Sequence, residues 1–356
     1  MATRNKNVTM NDVAKLAGVS QSTVSLILNG KAGSAFPQET IDRVIAAAKT
    51  LNYRMKATTR YIKPALYENI MVLAVKTTNP YYSGMLHSIE SEAVPKGYRV
   101  ISCNTYHDPE LEARYLQMAI DQKNTCVIFL YPPDNLEAFH EAANLLPVIA
   151  ICDRASRLDT DIVELDNNKA GVLVAEHLIS LGHRKIALIT HPPEGNTGRR
   201  ERIEGIQSVL GKHGVDLMIH MRESDPRESL EDVYFDYHVG YELAQDSKLY
   251  NNGITAFICI NDMFAYGFIE ALLEKKYRIP EDYSVISFDN LLYSGFSTIG
   301  LTTIDHHMEL VGRYAIGVML QKINAASRTN SDADKWARFK VECPPSLVIR
   351  NSTRRL

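Results

Sequence analysis

The sequence predicts a small all-α helix-turn-helix head followed by an α/β body of two lobes built on parallel sheets. Three observations carry that expectation. At 356 residues the chain exceeds the roughly 100 to 200 of an ordinary domain, so two or three domains are expected. Its charge is split: residues 1–65 hold 10 Lys/Arg against 3 Asp/Glu and the remainder holds 29 against 39, so a net charge of −3 hides a basic head and an acidic body. Apolar residues recur at helical spacing up to residue 51, and beyond Tyr67 they gather in short Val/Ile-rich runs separated by helical stretches. A basic head of this size suits a polyanion, although a solubilising tail has the same composition.

In the head, "TMND" places a hydroxyl three residues before an acid, a loose capping box that starts a helix from about Met10 to Ala17. Gly18 interrupts it, Val19 plugs the turn, and Ser20 offers the N-cap of a second helix through about Leu28. Ala14 lets the two helices cross closely, Gly18 permits the corner and Val24 seals it, which is the logic of a helix-turn-helix. Pro37 suits the first position of a third helix, on which Ile41, Val44, Ile45, Ala48 and Leu51 form an apolar stripe. Around this core stand Lys15, Lys31, Arg43, Lys49, Arg54, Lys56, Arg60 and Lys63, the kind of charge that neutralises phosphates. A basic segment, "YRMKATTRYIKP", leads away from the head and ends at Pro64.

The body alternates. "NIMVLAV", a helix from Gly84, "YRVISC", a helix from about Pro109, "TCVIFLY", a helix from about Leu136 and "VIAIC" form one series. The pattern restarts with a helix near 169–181, "KIALIT", a helix near 200–213, "AFICI", the helix after Asp262 and "SVISF". Apolar runs that do not alternate are strands covered on both faces, so each series predicts a parallel sheet and the two together a cleft between lobes. Residues just past strand ends face such a cleft. They are Tyr81 and Tyr82, Asp153, Asn261 and Asp289, joined by Arg202 at the start of the "RIEG" helix. Aromatic faces with a few charged, bidentate groups suit sugars and nucleobases alike. Asp153 and Asp289 equally suit helix caps, Arg202 a surface charge, and Tyr82 packing beneath its loop.

"VTMNDVAKLAGVSQSTVSLILNG", with the third helix and "LNYRMKATTRYIK", resembles the head of the lac/galactose repressor family. Further fragments extend that resemblance over nearly the whole chain, among them "NPYYSGMLHSIE", "VELDNNKAG", "FICINDMFAYGFIEAL", "LTTI" and "SLVIRNST". The resemblance implies a head at 1–54, a hinge helix or linker at 55–66 and a periplasmic-binding-protein-like body at 67–356 that binds effector and dimerises. It implies that Gln21, Ser22 and Leu26 face base edges, and that Thr9, Ser20, Thr23, Ser25, Asn29, Arg60 and Lys63 hold the DNA backbone. Leu26 departs from the longer polar residue common there, so it implies apolar reading, such as a thymine methyl. Ile62 takes the place of a leucine that wedges into the minor groove, and Met55 and Lys56 depart from the usual proline and asparagine. Phe235 takes the place of an aromatic lid over the effector. The expected partners are double-stranded operator DNA, a small-molecule effector and a second copy of the chain, in a homodimer or higher oligomer. The helices from 308 to 323 and from Gly84 are its candidate interface surfaces.

Other classes fit poorly. Cys103, Cys126, Cys152, Cys259 and Cys343 share no metal-ligand spacing and sit mostly in apolar runs, so buried reduced thiols are expected and no metal or cofactor is implied. The chain shows no membrane-length apolar run and no signal peptide, hence the expectation of a soluble, cytoplasmic protein without a membrane partner. No G-x-G-x-x-G follows a strand; "GIQSVLGKH" has the wrong glycine spacing for a P-loop, and "HEAAN" lacks the second histidine of a zinc-protease helix. A regulator is therefore expected, not an enzyme. A two-lobed solute-binding or sensory module is the rival, and it leaves the basic head unexplained.

Overall fold

The computed structural model describes residues 9–28, 36–51, 68–122, 125–153, 158–223, 231–250, 252–296, 300–328 and 338–356. The chain divides into two compact units, Met1–Ala65 and Leu66–Leu356.

In the first unit three helices, α1 (Met10–Ala17), α2 (Gln21–Leu28) and α3 (Gln38–Thr50), enclose Val13, Ala14, Ala17, Val24, Ile27, Val44, Ala47 and Ala48. The Asp12 carboxylate accepts both the Thr9 backbone N–H at 2.8 Å and its hydroxyl at 2.6 Å, which fastens the first turn of α1. Gly18 ends α1 with φ 67°, a left-handed conformation that favours glycine, and the Val19 N–H then reaches the Ala14 carbonyl at 3.1 Å. Ser20 caps α2 by accepting the Thr23 N–H at 3.1 Å. Two expectations need correction. Pro37 stands before α3 with extended ψ of 146° and serves as its N-cap residue. Ile45 is 51% exposed, because Val44, Ala47 and Ala48 already supply the i, i+3, i+4 stripe.

The second unit contains two six-stranded sheets. β1 (Asn69–Ala74), α4 (Pro80–Ala93), β2 (Arg99–Asn104), α5 (Pro109–Gln122), β3 (Thr125–Phe129), α6 (Leu136–Leu145), β4 (Val148–Asp153) and β5 (Asp161–Leu165) build most of the first lobe. Its sheet runs β11-β5-β4-β3-β1-β2, with every pairing parallel. The second lobe follows as α7 (Asn167–Ser180), β6 (Lys185–Thr190), α8 (Thr197–Lys212), β7 (Asp216–Met221), α9 (Phe235–Leu243) and β8 (Ala256–Cys259). It continues through α10 (Asp262–Glu274), β9 (Ser284–Phe288), α11 (Leu292–Phe296) and β10 (Thr302–Asp305). The chain then returns to the first lobe with α12 (Met308–Arg328) and β11 (Lys340–Cys343), and ends on β12 (Ser346–Val348), antiparallel to β10 at the edge of the sheet β12-β10-β9-β8-β6-β7. β1, β3, β4, β8 and β9 are buried along their length or nearly so, as unbroken apolar runs between helical layers must be.

One detail revises the sequence reading, and a second places two of its elements. The first body helix starts at Pro80, four residues before Gly84, because Asn79 caps it by accepting the Tyr81 N–H at 3.0 Å. The helices at 84 and 308, expected to offer interface surfaces, lie against each other: the Ser88 hydroxyl donates to the Met308 carbonyl at 2.7 Å, and Val311, Ala315, Ile316 and Met319 enter the first lobe's core. All five cysteines are free and buried. No helix among the described residues is long and apolar enough to cross a membrane.

Candidate functional site

The carboxyl ends of both sheets converge on one cluster of polar side chains. Asp153 ends β4, His191 follows β6, Asn261 and Asp289 follow β8 and β9, and His306 follows β10. This is where open α/β sheets place ligands.

Arg202, on the second turn of α8, is the hub. Its Nε donates to Asn167 Oδ1 at 2.8 Å and its Nη1 to the Ile260 carbonyl at 2.8 Å. Its Nη2 faces Asp289 Oδ1 at 3.3 Å and His306 Nε2 at 3.2 Å, and the guanidinium lies 4.7 Å above the centre of the Phe288 ring. With 12% of its side chain exposed it is no surface charge. Asp289 holds its backbone at φ 111°, a strained value for any residue but glycine. Burial pushes its carboxyl up to about 8, against the pull of Arg202 and with help from the negative Asp262 and Asp236. Among the described residues Asp289 caps no helix; it is Arg202's partner.

Asp153 joins the lobes. Its Oδ1 accepts from Asn167 Nδ2 at 2.6 Å, its Oδ2 accepts the Thr197 hydroxyl, and the Gly198 N–H also points to it. It therefore sits on the N-terminus of α8, where unsatisfied N–H groups favour an anion. A Cβ on Gly198 would lie 2.7 Å from Asp153 Oδ1, so glycine is what admits the carboxylate. Burial still raises the Asp153 carboxyl, more than Thr197, Arg202 and Asn167 lower it.

Tyr81 and Tyr82 occupy the first turn of α4, their rings 5.5 Å apart at 77°. Burial pushes both phenols up, aided by Asp289 at Tyr81 and by Asp153 and Asp236 at Tyr82, and both rings pack against the first lobe's core. Phe235 opens α9 and stacks on His191, 5.2 Å between centres and 4° between planes, while Phe264 meets the same imidazole at 4.8 Å and 88°. His191 Nε2 lies 3.0 Å from Asp236 Oδ1. Asn261 caps α10 through the Phe264 N–H at 2.8 Å and donates its Nδ2 to Asp236 Oδ2 at 3.0 Å. Burial would raise the Asp236 carboxyl, but His191, Asn261 and Arg199 hold it below the usual carboxylate range.

All seven expected effector residues thus belong to this one region, and Asn167, Thr197, His191, Asp236 and His306 must be added. His191 and His306 stand directly after strands, so the strand-end rule finds them once every strand is known. Nothing local in the sequence marks Asn167 or Asp236, whose roles arise from tertiary contact. No group of three or more His, Cys, Asp or Glu among the described residues is arranged to hold a metal ion.

On the head, Thr9, Ser20, Gln21 and Ser22 are exposed, Thr23 and Ser25 half-buried, and Leu26 is 41% exposed while its neighbour Ile27 enters the core. Lys15, Arg43 and Lys49 are exposed too. Asn29, Arg60, Ile62, Lys63 and the linker at 55–66 lie outside the described residues.

Comparison with known proteins agrees on both units. Residues 9–55 match the family model described as bacterial regulatory proteins, lacI family, and residues 175–353 match a periplasmic binding protein-like domain. The HTH-type transcriptional repressor PurR of Haemophilus influenzae is 30% identical over 349 residues, spanning 97% of this chain and 98% of its own. PurR of Mannheimia succiniciproducens is 31% identical over 352 residues, spanning 98% and 99%. A LacI family transcriptional regulator from Enterococcus faecium, solved with bound ribose, superposes with a TM-score of 0.68 at 25% identity over 81% of this chain and 99% of its own. The lac repressor dimer bound to operator and the anti-inducer ONPF shares the fold, with a TM-score of 0.67 at 24% identity over 98% and 100%.

Proposed function

The chain belongs to the lacI family of bacterial regulatory proteins, and we propose that it is a homodimeric, sequence-specific repressor whose hold on operator DNA is set by a small uncharged metabolite enclosed between its lobes. In this reading residues 1–54 read the operator, 55–66 form the hinge and 67–356 bind effector and dimerise. The protein works in the cytoplasm and catalyses no reaction. The relatives named above are repressors and regulators, which supports the reading.

One observation carries the effector half: Arg202 and Asn167 of the second lobe are bonded into a single polar network with Asp153 of the first. A molecule that exchanges hydrogen bonds with that network favours one lobe arrangement over another and shifts the population accordingly. Asp153 and Asp236 bring acceptors and Arg202 brings donors to one region, a mixture that suits the hydroxyls of a free sugar. The ribose held by the Enterococcus faecium regulator is in keeping with that chemistry. A nucleobase is the second reading, favoured by the faces of Tyr81, Tyr82 and Phe235.

The test has two parts. Selection from a random duplex pool with the purified chain should enrich one roughly two-fold symmetric sequence, and failure to enrich any sequence over scrambled competitor defeats the regulator reading. A thermal-shift screen of sugars and nucleobases should raise the melting temperature of the body with at least one compound, since a ligand at 100 times its Kd adds about 2.7 kcal/mol of stability.

A further inference from the structure

Two buried ring nitrogens, Nδ1 of His191 and Nδ1 of His306, have no hydrogen-bond partner among the described residues. A sealed polar group without a partner carries its full desolvation cost, so each needs an explanation. The tautomers follow from the partners. An arginine only donates, so His306 Nε2 accepts from Arg202, and its neutral ring carries the proton on Nδ1. Burial and the neighbouring Arg202 keep that ring neutral by holding it well below the ordinary histidine range. His306 is thus part of Arg202's own support. His191 is the opposite case. Its partner Asp236 is a carboxylate that only accepts, so Nε2 donates and the neutral ring is left with a bare lone pair at Nδ1. His191 is 6% exposed, Phe235 covers one face of its ring, and Asp236 is itself fixed by Asn261. The lone pair lies in the ring plane, so the stacked Phe235 ring does not cover it.

We propose that His191 is a specificity-determining residue of the effector site, whose Nδ1 accepts a hydrogen bond from one hydroxyl or N–H of the enclosed molecule. Asp236 and Phe235 act as positioning residues: one fixes the tautomer, the other the ring plane. The inference rests on the reading that a metabolite fills this region, and it sharpens it, because an acceptor held beside Asp236 selects for a partner that brings a donor to that point, such as a polyol. A ligand that brings only an acceptor to that point would leave the Nδ1 lone pair unmatched.

The experiment has a ligand-free arm and a binding arm, both on the full chain. With histidine labelled in 15N, long-range correlation spectra report which ring nitrogen bears the proton, and His191→Phe identifies the signal by its loss. The neutral His191 ring is expected to carry its proton on Nε2; a proton on Nδ1 overturns the proposal. In the binding arm D-ribose, D-galactose, D-glucose and hypoxanthine are titrated by calorimetry into wild type, His191→Phe and His191→Gln. Phe keeps the stack and removes both nitrogens, whereas Gln can still donate to Asp236 and offer an oxygen. The probe that binds wild type should bind the Phe variant about 10-fold or more weakly, the scale of one lost hydrogen bond in a buried site, with part of the loss restored by Gln. An analogue of that probe lacking the matched hydroxyl or N–H should bind wild type and His191→Phe alike. Equal affinity of the parent probe for wild type and His191→Phe, at matched melting temperatures of the free proteins, overturns the assignment. If no probe binds wild type, the sugar-or-nucleobase reading fails instead, and the proton position still judges His191.

Discussion

At the scale of single residues, the head and the body respond to different substitutions. Gln21 is exposed at the first position of α2, and a side-chain amide there can pair with one base edge, so Gln21→Ala should relax preference at one base pair by about 1 to 3 kcal/mol. Lys63→Ala should instead weaken every duplex alike and reduce the slope of affinity against salt by about one unit. Competition binding over a set of operator variants separates the two, and an unchanged ranking for Gln21→Ala removes it from base reading. Asp289 gives a prediction in pH. Its carboxyl lies at about 8 in the folded protein, above its ordinary value of 3.8, so between those limits the native state holds a proton that the unfolded state has released. Stability from this group is therefore fully present below the lower value and lost as pH rises towards 8. Asp289→Asn imitates the neutral acid, so its advantage in melting temperature over wild type should grow from pH 5 to pH 8; an advantage that stays flat contradicts the buried, protonated state.

At the scale of elements, what the sequence reveals depends on whether an element's cause is local. The helices of the head begin and end where Thr9, Gly18 and Ser20 stand, because caps and a left-handed glycine act over three or four residues. The buried strands β1, β3, β4, β6, β8 and β9 announce themselves as apolar runs. β7 and β11 at sheet edges do not, since exposure on one side mixes "DLMIHM" and "KVEC" with polar residues. Nor does the return of α12 to the first lobe show in a pattern that looks like one lobe repeated. The site divides the same way: Asp153, Asn261 and Asp289 follow from strand ends, while Asn167, Thr197 and Asp236 are recruited by folding. The N-terminus of α8 gives the test at this scale. Gly198→Ala puts a Cβ 2.7 Å from Asp153 Oδ1, a distance no carbon tolerates, and so must push the first lobe's carboxylate away from the second lobe's helix. Response to whichever compound the thermal screen yields should fall by about 10-fold or more, the scale of one charge-assisted hydrogen bond, while the head still folds. An unaltered response would mean that the link from Asp153 to α8 does not tie the lobes together.

At the scale of the whole molecule, two reading heads on one operator require a two-fold body, and the described surface suggests where a second copy attaches. The helices from Gly84 and from Met308 remain candidates on the sides they do not turn to each other. α11 is a further one: Leu292 is 69% exposed, Tyr293 59% and Phe296 74%, three large apolar residues in five. Their exposure is not looseness, because the helix is pinned from beneath. Asp262, fully buried, accepts the Leu291 N–H at 2.8 Å and the Ser294 hydroxyl at 2.5 Å, and Ser294 also meets the Tyr266 hydroxyl at 2.6 Å. A helix fastened from beneath that leaves three large apolar side chains in water is a candidate contact surface for the proposed homodimer. A symmetric contact would bring the patch against its own copy, and a charge placed there meets a like charge across the axis. Leu292→Glu with Phe296→Glu should therefore yield a folded monomer by sedimentation at concentrations where the proposed wild-type dimer forms, with the body's melting temperature largely kept. Because one head makes half the phosphate contacts of two, operator affinity should fall steeply and the salt slope should approach half its wild-type value. A double variant that still sediments as a dimer would move the interface elsewhere on the body.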